Sequence, residues 1–342
     1  MINRLVWMET DNTYPYRNLA MEEYMTLHVP QGTCILYLWQ NRHTVVIGKN
    51  QNSWRECRVN FLEQESGYLV RRLSGGGAVF HDLGNLNFTF IVGAGDYDVS
   101  RQLDVILEAV RSLGIHAEKT GRNDITVDGR KFSGNAFYRT GDGCYHHGTI
   151  LIRADKENMS RYLNVSKEKL ASKGVTSVKS RVANLCEFKP DITLEEVKSA
   201  LVEAFSKVYG QPAVRMEEGE LPQPDIDART EKFASWQWKY GRKIPFEYEM
   251  EKRFPWGNIQ IQFHVDEGMI QDVNVFSDAM DQEMIGMLAE QLKGCAYAEE
   301  DICRAVKAVG TDAFQAGEYT GADEPQSCRI KEDIMTLVRE SL

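Results

Sequence analysis

The run Arg71-Arg72-Leu73-Ser74-Gly75-Gly76-Gly77-Ala78-Val79-Phe80-His81-Asp82 gathers residue types that could handle an anion. Three consecutive glycines let the main chain approach a bulky ligand and adopt positive φ, and their N–H groups can point together at one negative charge. The two arginines just upstream add permanent charge and forked donors suited to carboxylate or phosphate. The pattern reads as a cradle for an acyl phosphate or a nucleotide, with a glycine-rich turn beside a solvated arginine pair as the alternative. No Gly-Lys-Ser/Thr follows, so it is not a Walker A loop, and Phe80 stands where a dinucleotide fingerprint needs its last glycine.

A second segment, Gly121-Arg122-Asn123-Asp124 through Ala136, centres on Asp128-Gly129, a strong hairpin signal between two short extended runs. Alternation along the return strand predicts Lys131 and Ser133 on one face and Arg130 and Phe132 on the other. Lys131 then sits on a rigid element, with Gly134 and Ala136 leaving room beside it and Asn123-Asp124 opening the partner strand. The alternative is an ordinary exposed strand lysine. His146-His147-Gly148-Thr149 is expected ahead of a further strand, where it could line the same pocket. Paired histidines are also common as hydrogen-bonded turn residues, and no metal site is assigned to them. Cys144, in Gly141-Asp142-Gly143-Cys144-Tyr145, is expected in an exposed loop.

Elements must position these groups. Val99, Leu103, Ile106, Leu107, Val110 and Leu113 follow helical spacing and stop at Gly114, and Thr193 with Glu196 looks like a capping box opening a helix to about Tyr209-Gly210. Runs 35–39, 44–47, 87–92 and 149–152 read as strands, so the first two-thirds is a mixed α/β domain. The best linker candidate is 211–229, which holds Pro212, Pro222 and Pro224 among polar residues. Beyond it, Ile259, Ile261, Phe263 and Val265 alternate, Asp266-Glu267-Gly268 turns, and Ile270, Val273 and Val275 return, with a helical pattern over 279–292. This predicts a small α+β second domain beginning between Phe246 and Pro255, which divides the chain into 1–246 and 247–342.

The totals narrow the partner classes. At 342 residues, 42% hydrophobic and 26% charged, the chain is an ordinary globular protein, and a formal charge of -10 argues against a nucleic-acid-binding face. No apolar run is long enough to span a bilayer, and the N-terminus turns acidic before a signal-peptide core develops, so the expectation is cytoplasmic. Seven scattered cysteines without a C-x-x-C pair suit reduced thiols.

Taken in order, the 71–82 run, Gly121-Arg-Asn-Asp124, Gly129-Arg-Lys-Phe-Ser-Gly134, His146-His-Gly-Thr149 and the 173–185 stretch resemble the lipoate-protein ligase A family. The Ser235-Trp236-Gln237-Trp238-Lys239-Tyr240-Gly241 stretch looks like the start of that family's C-terminal accessory domain. The resemblance implies a catalytic domain similar to those of biotin ligases and class II aminoacyl-tRNA synthetases, a mixed sheet flanked by helices. It implies a protein that activates lipoate with ATP and Mg2+ and passes it to lipoyl-domain acceptors, such as acyltransferase subunits of 2-oxoacid dehydrogenases or the glycine-cleavage H protein; the chain is expected to act as a monomer. It implies Lys131 as the catalytic residue. By the same resemblance, Arg72, Gly75, Gly76, Gly77, Ala78, Val79, Phe80, Asn123 and Asp124 join Lys131 on ATP and the adenylate. Arg71, Gly76, Ser133, His147 and Gly148 join it on lipoate.

Lys131 suits the chemistry on physical grounds too: a carboxylate attacking an α-phosphate brings two anions together, and a fixed ammonium between them offsets repulsion. The lipoyl tail calls for an apolar tunnel, with Val79, Phe88 and Phe90 as candidate liners. The nearest rival is an acyltransferase moving octanoate or lipoate through a cysteine thioester, for which Cys144 near His146 is the candidate. A biotin ligase fits less well, because its glycine-arginine signature is replaced by Ser-Gly-Gly-Gly-Ala. A non-catalytic binding module would be free to shed Lys131.

Overall fold

Most of the apolar runs become strands, and a computed structural model shows how they assemble. It describes residues 1–120, 124–164, 182–310 and 326–342; the expectations placed on Gly121, Arg122, Asn123 and 173–181 lie outside the described residues. The strands are β1 (Arg4–Glu9), β2 (Thr33–Trp39), β3 (Thr44–Ile47), β4 (Tyr68–Arg71), β5 (Val79–His81), β6 (Asn85–Gly93), β7 (Glu118–Thr120), β8 (Asp124–Val127), β9 (Arg130–Thr140), β10 (Gly143–Leu151), β11 (Ala213–Arg215), β12 (Tyr248–Phe254), β13 (Gly257–Asp266) and β14 (Met269–Ser277). Among the described residues they form an eight-stranded sheet, ordered β11-β1-β2-β6-β10-β9-β8-β7, and two three-stranded sheets, β4-β3-β5 and β12-β13-β14. The chain gathers into two compact units. One comprises Met1–Val46, Arg55–Arg71 and Val79–Lys239, and the other Ile47–Trp54, Arg72–Ala78 and Tyr240–Leu342.

In the first unit β1 pairs in parallel with β2 and β11, while the remaining pairings of the large sheet are antiparallel. Two helices cover one face. Val99–Ser112 is capped by Asp98, which accepts the Arg101 N–H, and Gly114 follows it at φ +85°. Leu194–Tyr209 opens on the expected Thr193–Glu196 capping box and ends at Gly210 in the left-handed region. Leu36, Leu38, Phe88, Phe90 and Phe132 from the sheet pack against Ile106, Val110, Leu201 and Phe205 from these helices. The helix Pro15–Leu27 joins β1 to β2 and lies on the other face, where its Glu22 meets Thr89 of β6 and His147 of β10.

The linker expectation for 211–229 is overturned. That stretch supplies β11 and the first half of the helix Gln223–Ala234, whose first turn contains Pro224. A proline there costs no hydrogen bond and presets φ, so the prolines mark a helix start rather than a tether. The helix is locked onto Pro15–Leu27: the buried carboxylate of Glu23 takes Arg229 at 2.8 Å and Lys232 at 2.6 Å, and Arg17 reaches Asp227 at 2.9 Å.

The second unit is built on the β12-β13-β14 meander, with Glu267 and Gly268 at φ +47° and +75° in the expected turn. Its core joins Ile259, Ile261 and Phe263 to Leu288 of the helix Gln282–Leu292, Ile302 of Glu299–Ala308 and Val338 of Gln326–Ser341. Among the described residues no helix is long and apolar enough to cross a membrane.

Candidate functional site

Lys131 stands at an irregularity in the β8–β9 hairpin. The turn is as expected, with Asp128 and Gly129 both at positive φ, +50° and +72°. Beyond it the register slips: Thr126 pairs with Lys131, but Ile125 pairs with Ser133, which leaves Phe132 as an extra residue. The Lys131 carbonyl accepts the Ala183 N–H at 2.8 Å, so the bulged strand is held from its other edge as well. The ammonium lies 2.6 Å from a carboxylate oxygen of Asp124, with both side chains about one-fifth exposed (20% and 18%). It rests over Gly134, where a Cβ would come 2.6 Å from Nζ. Thus the structure brings Lys131, Asp124 and bare Gly134 together on one sheet face.

The bulge overturns the expected alternation. Cross-strand partners share a face, so Lys131 lies with Thr126, Asp124 and Gly134, whereas Ser133 lies with Ile125 and Ile150 toward the helix-covered core. Parity along β10 and β6 carries the division onward. Thr149, His147, Asn87 and Thr89 share the Lys131 face, while Gly148, His146, Phe88 and Phe90 face the core. Phe88 and Phe90 are therefore core residues on the far side from Lys131, in contact with His146 and, for Phe90, Phe205. The histidine pair lies inside β10 rather than ahead of a strand, and the two rings point opposite ways. Burial, then the neighbouring His147, holds His146 neutral, its pKa well below the usual imidazole range.

Cys144 also departs from expectation. It lies in β10 rather than an exposed loop, is fully buried in the core, and burial pushes its thiol up to about 11. A thiol so raised and on the opposite face from Lys131 is a poor nucleophile for an acyl group held near that lysine.

The Lys131 face carries a buried polar chain that no local motif announced. Glu22, 1% exposed, accepts the Thr89 hydroxyl at 2.7 Å and is 2.9 Å from Nδ1 of His147, and the Trp39 indole N–H donates to Thr89 at 3.0 Å. A carboxylate at Nδ1 favours the proton there and leaves Nε2 as the ring's acceptor. Glu22, Trp39, Thr89 and His147 come from four elements spread over 125 residues, and no spacing or motif in the sequence joins them.

The glycine run belongs to the second unit and is knotted internally. The buried Arg72 guanidinium donates to the carbonyls of Gly75 at 2.6 Å and Gly77 at 2.9 Å, and its Nε to the Ser74 hydroxyl at 3.0 Å. Gly76 takes φ +85°, and its N–H donates to the Ala279 carbonyl at 3.0 Å. A Cβ on Gly75 would come within 2.5 Å of that carbonyl and 2.6 Å of the Met280 carbonyl, so glycine is required by close main-chain approach. Of the donors expected to cradle an anion, the Arg72 guanidinium is thus turned into the loop and the Gly76 N–H is used by a main-chain carbonyl. Val79 and Phe80 lie in β5 opposite Val46 and Val45, with Phe80 buried against Tyr162.

Arg71, the last residue of β4, is 7% exposed, and burial lowers its pKa to about 10. Its guanidinium donates to the carbonyls of Trp238 at 2.9 Å and Lys239 at 2.7 Å, and the Trp238 indole N–H returns a bond to the Arg71 carbonyl at 2.8 Å. Among the described residues no group of three or more His, Cys, Asp or Glu side chains could hold a metal ion.

Two family models match the chain: the lipoyl protein ligase A/B catalytic domain over residues 14–206, and the bacterial lipoate protein ligase C-terminus over 243–321. Among solved structures, P. falciparum LipL1 in complex with lipoate is similar with a TM-score of 0.81 and 29% identity, over 97% of this chain and 99% of that one. A bipartite lipoate protein ligase from Thermoplasma acidophilum, determined in a study that includes its E2 lipoyl domain, matches with a TM-score of 0.61 and 26% identity, over 71% of this chain and 99% of its own. A lipoate-protein ligase A bound with ATP shares the fold with a TM-score of 0.59 and 24% identity, over 70% and 99% of the two chains.

Proposed function

This chain belongs to the lipoate-protein ligases, matching both their catalytic-domain and C-terminal models, and on that premise we propose that it activates lipoate with ATP and transfers the acyl group to a lysine of a lipoyl-domain protein. The observation that carries the proposal is the Lys131 ammonium, set by a β-bulge over bare Gly134 and beside Asp124. Lipoate recorded in LipL1 and ATP in the ligase A homologue support the two substrates, and the lipoyl domain studied with the Thermoplasma ligase supports the acceptor class.

In the first half-reaction a lipoate carboxylate oxygen attacks the α-phosphorus, the bond to the bridging oxygen breaks, and pyrophosphate leaves with lipoyl-adenylate formed. Two anions must meet, and a preorganised cation in a water-poor site stabilises the charge that builds between them. We assign that post to Lys131, with Asp124 steering its ammonium. The Arg72–Gly77 loop and Ala78, Val79 and Phe80 are assigned to the nucleotide. Magnesium fits this donor set as part of the nucleotide substrate, since that ion is commonly held by phosphates with one or two carboxylates, and Asp124 is the carboxylate beside Lys131. In the second half-reaction the acceptor amine attacks the acyl carbon, the amide forms with loss of a proton, and AMP departs. Lys131 is suited to steady the leaving phosphate. His147 is assigned to the acyl substrate on the same sheet face. Acceptors of the 2-oxoacid dehydrogenase and glycine-cleavage type, reached in the cytoplasm, complete the proposal.

The test is pyrophosphate release from ATP with lipoate and magnesium, followed by mass measurement of an apo acceptor domain. Lys131→Ala should slow adenylation by about 100-fold or more while the thermal transition stays close to that of the parent; normal turnover would remove Lys131 from the mechanism. Cys144→Ala should leave the rate within about twofold, because a buried thiol at that pKa contributes packing rather than chemistry. A folded but inactive Cys144→Ala protein would favour a thioester route instead.

A further inference from the structure

Two adjacent buried arginines introduce the glycine run, yet their guanidinium groups do different things. Arg72 turns into the loop, whereas Arg71 grips the carbonyls of Trp238 and Lys239 in the short helix Trp236–Tyr240. Carbonyls in the last turn of a helix have no partner within it and carry the negative end of its dipole, so a cation there is favourable. Burying a guanidinium is expensive unless such acceptors are supplied, and the lowered pKa of Arg71 reflects that cost. The indole N–H of Trp238 closes the arrangement by donating to the Arg71 carbonyl. Main chain and side chain of one residue are therefore both tied to the 236–240 turn, and the next residue begins the loop.

We propose that Arg71 is a positioning residue for the nucleotide rather than a contact for the acyl substrate: its reciprocal clamp with Trp238 fixes the strand end from which the Arg72–Gly77 loop departs. The inference rests on the nucleotide role proposed for that loop. Without the clamp the loop keeps its internal Arg72 bonds and its main-chain bonds to Ile47, Lys49 and Ala279, but the residue it departs from is held less firmly, so its donors spend less time in the arrangement an anion needs. Affinity for ATP falls, while the acyl substrate and the chemical step are untouched.

Trp238→Phe removes the indole donor yet keeps a ring against Phe233, 5.3 Å away by centroid, and Arg71→Lys keeps the charge but loses the fork. Both variants should raise KM for ATP by about fivefold, with KM for lipoate and kcat within about twofold, and the double variant should raise KM for ATP further, because the guanidinium bonds to the 238 and 239 carbonyls and the indole bond to the Arg71 carbonyl are separate and each variant leaves the other in place. Hydrogen exchange of amides 72–78 in the ligand-free protein should quicken by roughly tenfold in both. A rise in KM for lipoate with Arg71→Lys alone would make Arg71 an acyl contact and overturn the proposal. Unchanged loop exchange would overturn it whether or not ATP is the substrate, and a uniform fall in kcat with a lowered melting temperature would reduce the clamp to general stability. Absence of pyrophosphate release by the parent protein would instead sink the ligase reading, leaving the exchange result to decide the clamp.

Discussion

An ammonium stabilises a transition state only if it waits where charge will develop, and at Lys131 the restraint comes from what is missing at residue 134. Gly134 has no side chain to hold off the lysine tip, and a Cβ there would meet Nζ at 2.6 Å and Cε at 2.7 Å. The obstructed atoms are the far end of a flexible chain, so Gly134→Ala can be accommodated by moving the ammonium away from Asp124 rather than by moving the sheet. We expect activity to fall about tenfold or more with little change in melting temperature, because a small misplacement at the reacting centre costs far more in rate than in stability. Parent-level pyrophosphate release from Gly134→Ala would show that the position of the ammonium over this glycine is immaterial. The lysine itself was legible from its hairpin and its small neighbours. Asp124 and Gly134 were legible as its neighbours, but the face they share with it was not, because a one-residue bulge inverts every later side chain without any mark in the hydrophobic pattern. Ser133 was assigned to the wrong face for that reason, and Glu22 with His147 was invisible because burial, not spacing, joins residues 125 positions apart.

Elements with local signatures behaved as read: the Thr193 capping box, the glycine stops after two helices, and the turns at 128–129 and 267–268. Where one signal had two physical meanings the reading failed, as with prolines that start a helix rather than break the chain at 222–224. The glycine loop needs partners that sequence cannot name. Within the second unit it is backed by 277–282: Ser277 N–H donates to the Asn50 carbonyl at 2.9 Å, Asn50 Nδ2 to the Gln282 carbonyl at 2.7 Å, and Gly76 N–H to that of Ala279. Gly75→Ala should therefore act on an element pair rather than on one residue. Its Cβ would strike two main-chain carbonyls, which cannot swing aside like a side chain, so the 277–282 stretch must lift. A destabilisation of about 1–3 kcal/mol is expected, the usual range for overpacking, together with faster hydrogen exchange at 277–282. Unaltered exchange there would mean that the backing segment does not bear on the loop.

At the scale of the molecule, 50 acidic residues against 40 basic ones make carboxylates the main source of pH-dependent stability, and they do not all act in one direction. Glu187 is pushed up by burial but pulled further down, to about 2, by Lys156, the Asn184 N–H and Arg130, so its contribution is present above its ordinary value of 4.5 and lost as pH falls toward 2. Asp281 runs the other way. It caps the helix Gln282–Leu292 by accepting the Met284 N–H, yet burial, with Glu283 adding to it, raises its pKa from 3.8 to about 6. The folded state therefore favours the protonated acid, and this stabilisation is complete below pH 3.8 and is lost as pH rises through 6. Asparagine caps a helix about as well as aspartate and has no charge to desolvate. Asp281→Asn should thus gain on the parent as pH rises from 4 to 7.5, by at most about 3 kcal/mol for a shift of roughly two pKa units. Chemical unfolding of both proteins across that range isolates the effect of Asp281 and its coupling to Glu283, since carboxylates that do not interact with Asp281 cancel in the difference. With two compact units the transition need not be two-state, so the change should be sought in the step that reports β12–β14 and their helices. A parent-minus-variant difference that stayed flat with pH would mean that Asp281 is ionised without penalty in the folded protein.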